Sequence, residues 1–485
     1  MRQSDSPSDP TRALETDASL GDLVQIYRAA ASSDDGQRCM VAPHPDVRRR
    51  IGEVLERASE AASAVPAHRV ALDPPRRLGL NDGVIIPGTE FPLGTPPSLV
   101  RRAAADRPPL RGAVRVIVVL VEFPDRRIEA TAERFQELFF SEGTMATGSV
   151  RDYFREVTRG QVDIQGQVVG PFELPETLAA YAGNASGMQQ ALPNARAMAR
   201  HAAEASNAEV DFGPFDNDGN GFVDAFVVVH AGRDGAETND KGDIWSHKWV
   251  LDGGSFQADA TQIFGYLTIS EDARLGVCAH ELGHLLFGWP DLYDIDQSSN
   301  GIGDWCLMAS GSWNGTPAGD TPAHPCAWCK AQQQWVEVVT PTTAESATIP
   351  DVKDEGKIWR LWTDGQTAPE YFLVENRQRA QFDSKLPGDG LLIWHIDEST
   401  EDNSNENHYK VALVQADGLR ELEMRRDVGN AGDPFPGASD NRTFDGGSSP
   451  DSKSYAGSET HVSVTEISDP AAEMTARLGV ADGGA

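Results

Sequence analysis

Long apolar runs are scarce in this chain of 485 residues. The strand-like run Val116 to Val121 falls far short of the ~20 residues a membrane span needs, so no spanning helix is expected. The first fifty residues hold no apolar h-region and are rich in Asp, Ser and Arg. A conventional signal peptide is therefore not expected, which leaves a mature form, another export route or a cytoplasmic location. Cysteine is scarce too: five residues, an odd number, do not describe a disulfide-built scaffold. Positive charge is short, with 42 Lys and Arg against 74 Asp and Glu, a net charge of −32, and lysine is rarer than arginine. This balance argues against nucleic acid and anionic membrane as partners. It fits solubility, calcium binding or a salty habitat. With 39% hydrophobic and 24% charged residues, what remains is a globular chain long enough for two or three domains. Nothing in the sequence sets the oligomeric state.

The most informative stretch is His280-Glu281-Leu282-Gly283-His284. Two histidines four apart on a helix lie one above the other on one face, so both imidazoles can reach one metal. Glu281 sits beside them as a candidate general base. The bare five-residue pattern also arises by chance, and the flanks decide the matter. A catalytic zinc needs a third protein ligand and leaves one position for water. No glutamate occurs between Glu281 and Glu337, so the next glutamate lies 337 − 284 = 53 residues past the second histidine. The nearby carboxylates are Asp291, Asp294, Asp296 and Asp304. Asp291 is favoured, because Gly288 can turn the chain at positive φ and Pro290 holds Trp289 extended. Met308, in the small-residue run Leu307-Met308-Ala309-Ser310-Gly311, is read as a structural turn residue rather than a ligand.

These motifs resemble the immune inhibitor A-type bacterial zinc metalloproteases, relatives of the metzincins. The family pattern is HExxH, two residues, glycine, two residues, aspartate, and later a methionine turn. Val121-Glu122-Phe123-Pro124-Asp125, Gly148 to Phe154, Ile244 to Trp249 and Gly390 to Asp397 look similar to family segments as well, so the resemblance spans roughly residues 76 to 470. One departure is plain: the glycine lies eight residues after His280 rather than seven, and the aspartate eleven rather than ten. Asp294 is the alternative third ligand if the extra residue shifts the turn. The resemblance implies a metzincin-like zinc peptidase domain of α+β or α/β type, with a twisted mixed sheet, an active-site helix and Met308 beneath the metal. It also implies export, which the N-terminal composition does not support.

Three regions are expected. Residues 1–75 read as a helical extension or prosegment, with helices over Leu20 to Ala31 and Val47 to Ala64. Residues 76–340 alternate strands and helices and form the catalytic domain. Val114 to Phe123 and Phe222 to His230 read as buried strands. Val150, Tyr153, Phe154 and Val157 mark one face of a helix closed by Gly160, with Tyr153 as core. Gln262 to Ser270 reads either as an edge strand that holds substrate or as an ordinary sheet strand. Thr321-Pro322 is expected to open a helix reaching Trp335. Residues 341–485 carry short β-patterned runs at Tyr371 to Glu375, Leu391 to Ile396, Val411 to Gln415 and Val462 to Ile467, a β-rich module. Its polar stretch 424–460 reads as a long loop.

Asp216-Asn217-Asp218-Gly219-Asn220-Gly221-Phe222-Val223-Asp224 spaces oxygen donors as a calcium loop does, with Asp216, Asp218, Asn220, the Phe222 carbonyl and Asp224 as candidate ligands. The twelfth position is Val227, so an EF-hand is excluded, and an Asx-rich turn that binds nothing is the competing reading. Cys326 and Cys329 are read as reduced packing cysteines. A second metal cluster with Cys278 and Cys306 has no recognised spacing. Cys39 as a thiolate cap on the zinc is a minor alternative to an ordinary cysteine. His247 and His395 are read as structural.

The function expected is zinc-dependent peptide hydrolysis, with zinc and calcium as cofactors and proteins or peptides as substrates. Zinc lowers the pKa of a bound water toward ~7, and Glu281 takes the proton. The oxyanion donor is not identifiable from the sequence. Two alternatives stand beside this: an inactive calcium-dependent binding or adhesion protein, and a zinc hydrolase of non-peptide substrates.

Overall fold

The structure is a computed structural model that describes residues 39–62 and 108–481. The helix expected over Leu20 to Ala31 lies outside the described residues. Eight strands come first: β1 (Cys39–Met40), β2 (Gly112–Glu122), β3 (Val162–Glu173), β4 (Phe226–His230), β5 (His247–Val250), β6 (Phe256–Ala258), β7 (Thr261–Ile263) and β8 (Gly265–Ser270). Among the described residues, six helices have six residues or more. They are α1 (Pro45–Ala62), α2 (Ala132–Phe140), α3 (Val150–Val157), α4 (Ala195–Ser206), α5 (Leu275–Phe287) and α6 (Ala327–Gln332). None of the described helices is long and apolar enough to cross a membrane.

The first sheet has six strands in the order β1-β5-β8-β4-β2-β3. Strands β8, β4, β2 and β3 run parallel, while β5 is antiparallel to β8 and β1 antiparallel to β5. It is a twisted mixed sheet. Strand β2 lies between β3 and β4, and its run Val116 to Val121 is fully buried, as a near-continuous apolar strand should be when both faces are covered. Helix α3 begins in a capping box. Ser149 Oγ accepts from Asp152 N at 3.0 Å and Asp152 Oδ2 accepts from Ser149 N at 3.1 Å. Its apolar face Val150, Tyr153, Phe154 and Val157 is buried, and Tyr153 donates to Ala323 O at 2.6 Å. Tyr153 is a core residue, as expected.

Three sequence expectations meet the structure here. Of the two readings of Gln262 to Ser270, the ordinary sheet strand holds and the edge strand does not: β8 lies between β5 and β4, and the short β7 pairs with β6. A buried strand and an edge strand can share one apolar pattern, and pairing order decides between them. The helix expected from Thr321 begins only at Ala327, with Cys326 at its N-cap. Pro325 follows His324 and disfavours helical backbone there, which delays the start. The strand expected from Phe222 also starts later, at Phe226.

The C-terminal strands are β9 (Glu337–Val339), β10 (Glu345–Pro350), β11 (Lys357–Leu361), β12 (Glu370–Arg377), β13 (Gly390–Asp397), β14 (Val411–Val414), β15 (Ser463–Thr465) and β16 (Glu473–Gly479). They form a five-stranded sheet, β14-β13-β12-β11-β9, and a three-stranded sheet, β10-β16-β15. Side chains alternate across a strand. Leu391 and Ile393 of β13 enter a core shared with Ile349, Val464 and Met474. Leu392, Trp394 and Ile396 of the same strand enter the large core that also contains β2 and α5. A buried charge network joins α6 to β12. Lys330 Nζ lies 3.0 Å from Glu375 Oε2, and Arg377, fully buried, lies 2.6 Å from Asp383 Oδ2 and 3.2 Å from Glu375 Oε1. These opposed charges hold Asp383 well below the usual carboxylate range although burial pushes it upward.

Candidate metal centre

Apart from His280, Glu281 and His284, helix α5 is apolar or glycine throughout, and each of its residues is buried, as the central helix of a core should be. Two glycines let it sit where it does. A Cβ on Gly276 would stand 1.8 Å from Ser312 O, so only glycine permits that approach. Gly288 ends the helix at φ 65°, and its N–H bonds back to His284 O at 3.0 Å. Trp289 follows with its N–H on Gly283 O at 3.3 Å. Its indole is buried against Phe287 and Trp335 and donates to Cys329 O at 3.2 Å. This turn returns the chain to the helix.

Asp291 then lies against both histidines. Its Oδ1 is 3.2 Å from His280 Nε2 and 3.2 Å from His284 Nε2, and the two Nε2 atoms are 3.0 Å apart. The outer ring nitrogens face carbonyls: His280 Nδ1 is 2.9 Å from Leu307 O, and His284 Nδ1 is 2.6 Å from Trp289 O. A carbonyl only accepts, so each Nδ1 carries the proton. Burial lowers the His280 pKa, which keeps that ring neutral. Two unprotonated Nε2 atoms and a carboxylate oxygen therefore come together at one spot. Asp291 Oδ1 is buried and accepts no hydrogen bond. Such a set repels itself without a cation. Donors around a tetrahedral zinc with bonds of about 2.0–2.1 Å stand about 3.3 Å apart, so the three atoms fit that ion.

Neighbouring residues occupy supporting places. Glu281 is fully buried beside His280 on the same helix. Met308 packs against α5: a Cβ on Gly283 would meet its Sδ at 2.7 Å, and its carbonyl accepts from Leu292 N at 2.8 Å. Asp294 is turned elsewhere. It accepts from Ser298 Oγ at 2.9 Å, Ser299 N at 2.7 Å and Ser299 Oγ at 2.6 Å, and burial pushes its pKa up to about 7.

Apart from Cys39, read from the sequence as a minor alternative cap, the remaining neighbours leave little sign in the sequence. Cys39 Sγ, a His284 ring nitrogen and an Asp291 oxygen all lie within 4.8 Å of one another. Tyr293, Trp245 and Trp313 donate to the carbonyls of Met40, Val41 and Ala42 at 2.7, 2.9 and 2.8 Å. These contacts join segments far apart in sequence and leave no local pattern. Asp234 steadies the base of β5 by accepting from Ser246 N at 3.1 Å and Ser246 Oγ at 2.6 Å, and burial pushes its pKa up to about 6.

The other candidates are also placed. Carboxylate oxygens of Asp216, Asp218 and Asp224 lie within 4.8 Å of one another. Asp216 Oδ1 accepts from Gly219 N and Asn220 N at 2.9 and 3.0 Å, and Asn220 Oδ1 accepts from Phe222 N at 2.9 Å. The Sγ atoms of Cys306, Cys326 and Cys329 lie within 4.8 Å of one another, all buried, and Cys278 is outside this group. Burial opposes ionisation of Cys306, but the thiols of Cys326 and Cys329 and the N–H groups of Met308 and Cys326 hold its pKa well below the usual thiol value. His247 is buried, with Nδ1 2.6 Å from Trp245 O and Nε2 2.8 Å from Tyr266 Oη. His395 stacks on Tyr455 at 4.1 Å and bonds Glu370 at 2.8 Å.

Part of the chain is similar to known proteins. Residues 111–338 match the family model described as immune inhibitor A peptidase M6, catalytic domain. The chain is 29% identical over 269 residues to the pre-pro-metalloprotease PrtV of Vibrio cholerae serotype O1 (strain M66-2), covering 44% of this chain and 29% of that protein. It is 28% identical over 297 residues to immune inhibitor A of Bacillus thuringiensis subsp. alesti, covering 49% of this chain and 43% of that protein. The chain thus spans less than half the length of either relative. Residues 111–338, which carry α5, the turn at Gly288 and Met308, are thus similar to the catalytic domain of the immune inhibitor A peptidase M6 family.

Proposed function

We propose that this chain is a zinc-dependent metalloendopeptidase acting on proteins or peptides. The observation that carries the reading is the convergence of His280 Nε2, His284 Nε2 and Asp291 Oδ1 within a segment of a peptidase family. Zinc, when bound, supplies Lewis acidity and brings the pKa of a bound water toward ~7. His280, His284 and Asp291 hold it, and the carbonyls of Leu307 and Trp289 fix the two imidazole tautomers. Glu281 accepts the water proton and delivers it to the leaving amine. Met308 floors the site in the metzincin-like manner. Residues 76–340 are the catalytic unit in this reading, with 1–75 an extension and 341–485 a β-rich module. The presence of Glu281 opposes an inactive relative. The strand addition at β5 favours a peptide over a non-peptide substrate.

Because Cys39 lies at the centre, casein digestion is assayed on the zinc-loaded full chain and on Cys39→Ser. Digestion is expected, abolished by a chelator and restored by zinc. No digestion by either protein at one zinc per chain would overturn the reading.

The loop Asp216 to Asp224 is a calcium site in the same reading, because three carboxylates converge there. Calcium at about 100-fold above its Kd is expected to stabilise the fold by about 2.7 kcal/mol, seen as a higher Tm. Asp218→Ala is expected to remove most of that gain. An equal calcium response in Asp218→Ala would place the ion elsewhere.

A further inference from the structure

We infer that Cys39 is the fourth ligand of the zinc centre and that residues 39–44 lie in the substrate position, so that this form of the chain is latent. The inference rests on the peptidase reading above and adds its regulation.

Two independent features converge on it. The first is chemical. Cys39 Sγ stands within 4.8 Å of ligand atoms of His284 and Asp291, beside a carboxylate oxygen that accepts no hydrogen bond. Three protein donors leave one corner of a tetrahedral zinc, and a thiolate sulfur binds zinc at about 2.3 Å. On ligation the thiol gives its proton to solvent, and the sulfur lone pair forms the bond. The second feature is the backbone. Strand β1 pairs antiparallel with β5, Cys39 opposite Lys248 and Met40 opposite His247. An extended peptide binds an exposed sheet edge in this way. Val41 N donates to Ser246 O at 3.2 Å and His44 N to Ala236 O at 3.1 Å. Three successive carbonyls, of Met40, Val41 and Ala42, accept from Tyr293, Trp245 and Trp313. These contacts read backbone rather than side chains, as a peptidase cleft must for varied substrates. Residues Cys39 to Ala42 are buried, and His44 packs edge-on against Trp313 at 5.1 Å. Beyond them Arg48 bonds Ser310 Oγ, next to the methionine turn.

The test replaces zinc with cobalt(II) in the full chain and reads the sulfur-to-cobalt charge-transfer absorption. The wild-type chain is expected to show it. Cys39→Ser and Cys39→Ala are expected to lose it at one cobalt per chain, although each keeps the other four cysteines. In zinc form, Cys39→Ser is expected to digest casein at least ~10-fold faster than the wild type, since turnover scales with the fraction of open sites. Equal spectra for wild type and both variants at full cobalt occupancy would overturn the ligation and leave the peptidase reading standing. Failure of the wild type and both variants to take up cobalt or zinc would overturn the metal centre itself, and the inference with it.

Discussion

Glu281→Gln, introduced beside Cys39→Ser, is expected to keep one zinc per chain and to lose casein digestion by at least ~10²-fold. Glutamine has the shape of glutamate, and position 281 is fully buried in α5, so the helix and both histidines keep their places. What the amide lacks is a basic oxygen that takes up a proton from water and gives it to an amine. The loss should therefore fall on kcat while metal content stays constant. Metal analysis and a casein assay on the same preparation check both halves. Undiminished turnover in a zinc-loaded Glu281→Gln protein would remove Glu281 from its assigned role.

Asp291→Ala is expected to lose zinc on dialysis, and Asp294→Ala to keep it. The two aspartates are three residues apart and both buried, yet their surroundings differ. Asp291 faces the Nε2 atoms of two imidazoles at 3.2 Å, a donor set that a shared cation reconciles. Asp294 is spent on Ser298 and Ser299. Removing Asp291 leaves a two-histidine site, one donor short of the three that a catalytic zinc requires. Removing Asp294 disturbs only the support of the loop, an effect of about 10-fold on metal affinity. Zinc loss from Asp294→Ala with retention by Asp291→Ala would show that the extra residue before Gly288 has moved the ligand.

The helix of the site was legible because its signals are local. Histidines four apart, a glycine at the reversal and a proline beyond it occupy twelve consecutive residues, 280 to 291, and each acts through the backbone it belongs to. The choice of Asp291 followed from the lack of nearby glutamate, and the geometry brings that aspartate to both histidines. Helix α3 was legible for a similar reason, through Ser149, Asp152 and a four-residue apolar face. Strand order was not. The pattern Gln262 to Ser270 is apolar because β8 is covered on both sides, and periodicity alone does not show that β5 lies outside it. The late start of α6 was readable in principle from Pro325, but Thr321-Pro322 offered a stronger local signal. Cys39 was the least legible. Its position depends on two paired residues of β1 and on three aromatic donors spread from Trp245 to Trp313.

Strand β13 gives alternate side chains to two cores, with Leu392, Trp394 and Ile396 packed among the residues that surround α5. The family match stops at residue 338, well before this strand begins. Gene rearrangement that cut the chain at that border would carry the histidines away without part of the wall they pack behind. The packing unit is therefore larger than the segment that matches the family model. A descendant that kept the chemistry would have to bring the later sheet along, or evolve another cover for the same apolar face.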